Sequence, residues 1–531
     1  MIGGPQGTMP STLTHDFSRV PHVDIQRSTF DRSHGLKTTF DAGYLIPIFY
    51  DEALPGDTFQ LQTHAFCRLA TPIHPIMDNM YIETFYFAVP FRLVWDNWEK
   101  FCGQQDNPGD STDYLVPQTT TTVVNSTLYD YFGVPNGVAL TFNNFMGRAY
   151  NLVYNEWFRD ENLQDSVTVD KGDGPDTATD YVLLKRGKRH DYFTSALPWP
   201  QKGDAVNLPL SGTAPVKGLG TYNQTYAVNN QVVYETDETG STTFLKSNYA
   251  NPADVNGLLY FEEDPDNTGF PNIRADLSQA TATTINALRE AFQIQRLLEK
   301  DARGGTRYTE VIRSHFGVTS PDARLQRPEY LGGGKTRVGI DPIPQTSSTD
   351  GTSPQGHLAG FGTAGFSHNG FNKSFTEHTV VIGMACVFAD LTYQQGLNRF
   401  YSKQTKYDYY WPALAHLGEQ AILNKEIYAQ GTADDDLTFG YQERYAEYRY
   451  KPSFVTGQMR SSFAQSLDTW HLAQDFTALP ALNASFIEEN PPIDRVTAVT
   501  SYPNMLGDFY FKLKCARPMP TYSVPGLIDH F

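Results

Sequence analysis

The amino-acid sequence predicts a mainly β protein, on three observations. Aromatic residues make up 13% of the 531 positions, Gly and Pro occur 42 and 33 times along the chain, and several stretches alternate apolar with polar residues. Short strands joined by turns are typical of this composition, and a helical bundle is not. The composition alone fits any β sandwich, and the length allows either several domains or one large β unit.

Two strands are predicted in the stretch 58–90. Phe59 and Leu61 begin a run of apolar residues on odd positions with polar residues between them, the period-two pattern of a half-buried strand. Pro55-Gly56-Asp57 opens this run as a turn. The second run, YIETFYFAV from Tyr81, carries aromatic and branched residues on both faces and predicts a strand covered on two sides.

Further elements follow along the chain. Apolar residues at helical spacing predict an amphipathic helix near 142–158, and a second helix runs from Ile285 to Arg303-Gly304-Gly305, where glycine can supply a left-handed C-terminal residue. The stretch 317–372 is rich in Gly, Pro and Ser and predicts a long loop. Strands resume in 379–388 and again in FYFKLKC, residues 509–515, so the sheet takes strands from both ends of the chain.

These patterns divide the chain into four parts. Residues 1–39 are polar and mixed in charge and predict an N-terminal arm that lies along other surfaces. Residues 40–200 form the first part of the β domain, with a helical excursion from the sheet. Residues 201–275, in which Gly, Asn, Thr and Asp are frequent, predict a surface insertion. Residues 276–531 complete the β domain with long loops.

Charge and cysteine usage limit the function classes. The net charge of -18 argues against a surface that grips nucleic acid everywhere, so any DNA contact must be local. The four cysteines are far apart and form no CxxC pair, which predicts reduced thiols rather than a zinc or redox site. The sequence shows neither a signal-peptide pattern nor an apolar run long enough to span a membrane, so we expect assembly in a reducing cytoplasm without membrane insertion.

Several short motifs imitate catalytic or metal sites. Gly334-Lys335-Thr336 resembles the end of a phosphate-binding loop but lacks its first glycine, and the stretch 365–370 nearly spells a nucleophile elbow with its second glycine misplaced. Asp434, Asp435 and Asp436 could hold a cation between subunits, although a run of acids is usually a solvated loop. No acid, base and nucleophile assemble, so the sequence predicts a protein without catalytic activity, cofactor or metal.

One basic cluster stands out in this acidic chain. Lys185, Arg186, Lys188, Arg189 and His190 place four permanent positive charges within five positions. A solvated turn around Gly187, or pairing with a neighbouring subunit's carboxylates, would explain them. Alternatively they contact single-stranded DNA, where binding through about four neutralised phosphates would weaken roughly a hundredfold between about 50 and 200 mM salt.

Long blocks of the sequence carry a family resemblance. DEALPGDTFQLQTHAFCRLATPIHPIMDN and NWEKFCGQQDNPGDSTDYLVP lie near the start, and GKRHDYFTSALPWPQKG follows from Gly187. Further blocks begin at Ile285 and, as FGYQERYAEYRYKPSFVTGQMR, at Phe439. In this order they resemble the major capsid protein of the microviruses, small icosahedral single-stranded DNA bacteriophages, and especially its gokushovirus branch.

The resemblance implies a fold and a function. The fold would be an eight-stranded antiparallel jelly roll of the viral capsid type, with very long loop insertions containing a few helices. Sixty copies would form a T=1 icosahedral shell around a circular single-stranded DNA genome, and 201–275 would be a protrusion at the threefold axes used in host attachment. The implied partners are further copies of the chain, the packaged DNA, internal scaffolding, DNA-binding and pilot proteins, and a bacterial receptor. The protein would reside in the virion.

Two other functions draw on the same features. A carbohydrate-binding or glycan-hydrolysing jelly-roll protein would use exposed Tyr and Trp to stack on sugars, but no convincing carboxylate pair supports it. A minor spike or tail protein is disfavoured because the resemblance covers both ends of the chain.

Overall fold

The computed structural model describes residues 25–206, 285–319, 326–351 and 354–522, together with the backbone of four strands between 216 and 275. The chain forms two compact units, one of residues 1–200 with 302–531 and one of residues 201–301. The predicted insertion 201–275 falls inside the second unit, and most of it lies outside the described residues. Its role as a surface protrusion stays a prediction.

The strands are β1 (Ser28–Asp31), β2 (His34–Phe40), β3 (Ile46–Ala53), β4 (Thr58–Leu69), β5 (Met80–Pro90), β6 (Gln118–Thr122), β7 (Ala139–Asn143), β8 (Val216–Lys217), β9 (Ala227–Asp237), β10 (Gly240–Asn248), β11 (Arg274–Ala275), β12 (Glu329–Arg337), β13 (Gly339–Pro344), β14 (Leu358–Ser374), β15 (Thr379–Ala389), β16 (Thr392–Tyr393), β17 (Glu419–Leu423), β18 (Thr438–Glu443), β19 (Ser453–Phe454) and β20 (Met505–Arg517). The α-helices are α1 (Trp98–Phe101), α2 (Leu128–Tyr131), α3 (Phe145–Val153), α4 (Ile285–Gly304), α5 (Tyr308–Phe316), α6 (Asn424–Ile427) and α7 (Ala484–Ile487).

Two antiparallel sheets dominate the first unit. One has the order β1-β20-β4-β14-β13, with β2 also paired to β20, and the other has the order β12-β5-β15-β3. The strand β20, near the C-terminus, therefore lies between strands from the beginning of the chain. The structure is mainly β with few helices, which is consistent with a jelly-roll capsid protein.

The strand patterns explain the core between these sheets. In β4 and β20 alternate positions, most of them apolar, are buried, and the mostly polar residues between them face outward. Phe59, Leu61, Phe509 and Phe511 thus meet the inner face of β5 and β15 in one apolar cluster. Every residue of β15 is buried, because helical and loop segments cover the outer face of its sheet. The predicted period-two strands are confirmed.

The predicted helix near 142–158 is also confirmed. It consists of α3 and a π-helical turn, Tyr154–Phe158, and its apolar residues pack on the outer side of β5 and β15. Arg148 on α3 is fully buried, pairs with Asp176, and donates to the carbonyl oxygens of Val94 at 3.0 Å and Gly172 at 2.9 Å. These contacts join α3 to the chain segments at Val94, Gly172 and Asp176.

The predicted loop 317–372 is wrong in most of its length, because it contains β12, β13 and much of β14. Several of the glycines that suggested a loop are instead places where strands approach closely. A Cβ atom on Gly333 would lie 2.0 Å from the Thr84 carbonyl oxygen, and one on Gly370 would lie 2.1 Å from that of Leu61. Gly334-Lys335-Thr336 and the stretch 365–370 both belong to strands, not to phosphate-binding or catalytic loops.

The predicted end of the helix that begins at Ile285 is confirmed, whereas part of the predicted N-terminal arm belongs to the sheet. Gly305 has a φ of +93°, as expected for the residue that ends α4. The predicted arm 1–39 contains β1 and most of β2, which pair with β20 of the same chain, whereas residues 1–24 lie outside the described residues.

Candidate nucleic-acid interface

The basic cluster lies on an extended segment held from both sides. Leu45 N donates to the Leu184 carbonyl oxygen and Arg186 N donates to that of Gly43, at 2.9 and 2.8 Å. On the opposite side, Lys188 N donates to the Ile487 carbonyl oxygen at 2.6 Å. The segment is therefore bound into the fold and is not a free turn.

Two of the predicted contact residues are engaged within the chain. Lys185 Nζ donates to Asn490 Oδ1 at 2.9 Å. Arg186 pairs with Glu83 at 2.6 Å, and its guanidinium lies 4.9 Å from the ring centre of Phe388. These two side chains, predicted to contact DNA, therefore already have partners within the chain.

Lys188 is buried, with 9% of its surface exposed. Its ammonium donates to the Phe486 carbonyl oxygen at 2.6 Å, and burial lowers its pKa. Glu489, which interacts electrostatically with Lys188, is also buried, and this raises the pKa of its carboxyl to about 7. The side chain of Lys188 is therefore directed into the protein and makes its hydrogen bond there.

Arg189 and His190 remain exposed. The Arg189 guanidinium lies 4.5 Å from the centre of the Phe388 ring, which orients it toward the outer face of β15. Of the five predicted contact residues, these two are the most available to a ligand. Contact of the cluster with DNA stays a prediction.

A cavity of about 440 Å³ opens beside the cluster. Aromatic side chains from three elements line it, together with the cationic side chains of the cluster and of one further arginine; these residues are Phe85, Phe87, Trp157, Phe158, Tyr330, Arg159, Arg186, Lys188 and Arg189. The only acidic side chain among its lining residues is Asp160. Proteins that bind single-stranded nucleic acid combine cationic side chains along the phosphate backbone with aromatic rings on which the bases stack.

The aromatic part of this cavity was missed from the sequence. Phe85 and Phe87 lie on β5, and Trp157 follows α3. The sequence could therefore predict that these residues lie near a sheet, but it could not predict that they line one cavity. Tyr330 was assigned to a loop, whereas it stands on β12 beside β5. No signal in the sequence links these residues to positions 185–190.

The structure gives less support to the other site considered from the sequence, the acidic run 434–436. Asp434, Asp435 and Asp436 lie in one 3₁₀ turn, where Asp435 accepts hydrogen bonds from Gln430 N and Gly431 N. In the part of the chain that the structure describes, no group of three or more His, Cys, Asp or Glu side chains is arranged to hold a metal ion. Among the described helices, none is long and apolar enough to cross a membrane.

Comparison with known proteins covers nearly the whole chain. The family described as Capsid protein (F protein) matches residues 18–527. Capsid protein VP1 of Bdellovibrio phage phiMH2K is 52% identical over 97% of this chain and 98% of the relative. Those of Chlamydia phage 1 and Spiroplasma virus 4 are 45% and 38% identical, over 98% and 97% of both chains. The predicted microvirus resemblance is confirmed, and the chain belongs to the phage capsid protein (F protein) family.

Proposed function

We propose that sixty copies of this major capsid protein close into a T=1 icosahedral shell around a circular single-stranded DNA genome. The observation that carries the proposal is the family match over residues 18–527, which includes both sheets of the first unit. We further propose that β2, β20, β4 and β14 form one layer of an eight-stranded jelly roll, with β3, β15, β5 and β12 as the other. The sheet orders support this assignment.

The surface of the first unit supports self-association. Fourteen large apolar or aromatic side chains between residues 397 and 467 are exposed, namely Leu397, Phe400, Tyr401, Tyr407, Tyr409, Tyr410, Trp411, Leu417, Leu437, Tyr448, Tyr450, Phe454, Phe463 and Leu467. We call this set the aromatic surface. Within this set the Tyr448 ring lies 5.3 Å from that of Phe400 and 6.3 Å from that of Tyr410, measured between centres. Tyr and Trp are enriched where protein partners bind. A second copy of the chain is the partner that a shell requires.

The remaining roles are proposals that the family supports. The insertion 201–275 would recognise the bacterial host, and internal scaffolding, DNA-binding and pilot proteins would assist assembly in the host cytoplasm. The role is structural, so no reaction is assigned to the chain. Contact with DNA would involve the exposed Arg189 and His190, while Lys185, Arg186 and Lys188 hold the segment in position.

Electron microscopy with mass determination tests the proposal. The chain is expressed with and without its candidate internal scaffold, and we expect uniform closed shells of icosahedral outline whose mass corresponds to sixty copies. Particles from infected cells should contain DNA. Soluble monomers or small oligomers under both conditions would contradict the proposed shell and would direct attention to glycan binding instead.

A further inference from the structure

We propose that the cavity beside the basic cluster holds a single unpaired nucleotide, with its base on the ring of Tyr330 and its phosphate on Arg189. This inference rests on the proposed enclosure of single-stranded DNA and names the chemistry of one contact site. The base must be unpaired, because stacking on the ring requires that its flat face be accessible. In a duplex that face is stacked on the neighbouring base pairs.

The two rings at the cavity are exposed yet held in place. Trp157 is 38% exposed and Tyr330 is 44% exposed. Trp157 Nε1 donates to the Pro328 carbonyl oxygen at 3.0 Å, and the buried Phe87 ring packs 5.5 Å from each of the two rings, measured between centres. A fixed ring loses little freedom when a base covers it, which favours binding.

Ring spacing decides how a base can bind. The centres of Trp157 and Tyr330 lie 6.1 Å apart, and their planes are inclined by 42°. A base sandwiched between two parallel rings would hold them about 7 Å apart, twice the usual contact distance of about 3.5 Å. The base must therefore lie over one outward ring face, and Arg327, 4.7 Å from the Trp157 ring centre, already covers part of that side chain. Tyr330 is the more open platform.

The cationic lining selects an anionic ligand. Four cationic side chains and His190 line the cavity, against one acidic side chain, Asp160. Arg186 is partly neutralised by Glu83, Arg159 lies 3.9 Å from the Glu161 carboxylate, and the Lys188 ammonium donates to the Phe486 carbonyl oxygen. Arg189 is exposed and thus best able to reach a phosphate.

The size of the cavity agrees with one nucleotide. A volume of about 440 Å³ falls within the range of roughly 300–1,000 Å³ for small-ligand pockets. A protein segment with an acidic and an aromatic residue is the competing occupant. Single-stranded DNA is favoured because one platform repeated on many copies of a shell can hold a strand of any sequence.

Binding of matched oligonucleotides tests this inference. Unassembled full-length chain is titrated with fluorescent oligothymidylate and with an abasic strand of the same length and charge. We expect tighter binding of oligothymidylate, by about 5- to 150-fold, which is the range for stacking of one base. Tyr330→Ser should remove this preference, whereas Tyr510→Ala, which removes a similarly exposed ring from β20, should leave it unchanged.

Further measurements separate the base from the phosphate. Arg189→Gln should weaken both strands equally and reduce the salt slope of log affinity by about 0.7. Bromodeoxyuridine placed in the packaged genome should cross-link to Trp157 or Tyr330 on irradiation, as located by mass spectrometry.

The possible outcomes distinguish failure of the nucleotide-site inference from failure of the proposed enclosure of DNA. Equal binding of both strands by the wild-type chain would overturn the nucleotide site while particles still contain DNA. Protein density in the cavity of imaged particles would overturn it in favour of a protein partner. Particles without DNA would instead overturn the enclosure on which the inference rests.

Discussion

At the scale of single residues, the segment of the basic cluster contains a buried lysine, Lys188, that interacts electrostatically with the buried Glu489. Burial favours the neutral form of both, because it lowers the pKa of Lys188 and raises that of Glu489. Each charge only partly compensates the other. A pair of this kind makes the segment that carries Arg189 and His190 sensitive to pH.

Glu489 should make stability fall as pH rises. Its pKa is raised from 4.5 to about 7, so the folded state binds this proton more tightly than the unfolded state does. The unfolding free energy therefore decreases from about pH 4.5 through pH 7, by on the order of 3 kcal/mol. Glu489→Gln imitates the protonated carboxyl, and we expect its unfolding free energy, minus that of wild type, to increase across this window.

Urea titrations of the unassembled chain at several pH values measure this difference. Glu488→Gln, at the half-buried neighbouring position, is the matched control and should show a smaller change. A difference for Glu489→Gln that stays constant with pH would contradict the buried, protonated state of Glu489.

The sequence could reveal the charges of the cluster but not their partners. Four cations within five positions are visible in the sequence, whereas Glu83, Phe486 and Asn490 lie far away along the chain. Three of the five predicted contact residues therefore turned out to be engaged within the chain. Burial of a charge depends on tertiary contacts, and no local pattern encodes it.

At the scale of elements, the cluster depends on a close crossing of two chain segments. Gly43 lies beside the segment 184–188 and has a φ of +86°, a conformation that other residues rarely adopt. A Cβ atom there would also lie 2.3 Å from the Glu489 carbonyl oxygen. Both constraints require glycine.

Gly43→Ala should destabilise the protein and displace the segment of the cluster. The left-handed conformation costs about 1–2 kcal/mol for alanine, and the contact with Glu489 adds to this. Gly133 is the matched control, because its φ is +85° but no atom lies within 4 Å of its added Cβ. We expect thermal unfolding to show a larger loss for Gly43→Ala than for Gly133→Ala. Equal losses would show that the crossing tolerates a side chain.

Strands and helices could be predicted where consecutive residues showed the period of a strand or a helix. Alternation identified β4 and β20, and helical spacing identified α3, because burial on one face leaves its period in the sequence. A run of aromatic and branched residues on both faces identified β5. The loop assigned to 317–372 was wrong because Gly333 and Gly370 were interpreted as turn residues. Their actual role, close approach to Thr84 and Leu61, depends on strands more than two hundred residues away.

At the scale of the whole molecule, the aromatic surface presents exposed rings that a partner could cover. Tyr407, Tyr409, Tyr410 and Trp411 are each more than half exposed although they follow one another closely. The Trp411 indole donates to the Lys406 carbonyl oxygen at 2.8 Å, so the ring is oriented before any partner binds. Orientation in advance lowers the entropic cost of association.

Removing rings from the aromatic surface should impair shell formation without unfolding the chain. Tyr407 is 57% exposed, so Tyr407→Ala removes little buried area within the protomer. Truncation of a central interface aromatic costs about 2 kcal/mol of association, which is a roughly 30-fold loss per contact. We therefore expect Tyr407→Ala to raise the concentration needed for closed shells by about tenfold or more, as measured by light scattering and microscopy.

Two comparisons make this result specific to the ring. Tyr407→Phe keeps the aromatic area and should assemble almost as wild type does, and circular dichroism should be unchanged in both variants. Since every copy in a closed shell repeats each contact, a small loss per contact is multiplied over the particle. If Tyr407→Ala and Trp411→Ala both assemble at the wild-type concentration, copies of the chain do not meet through this surface, and other exposed regions must form the shell contacts.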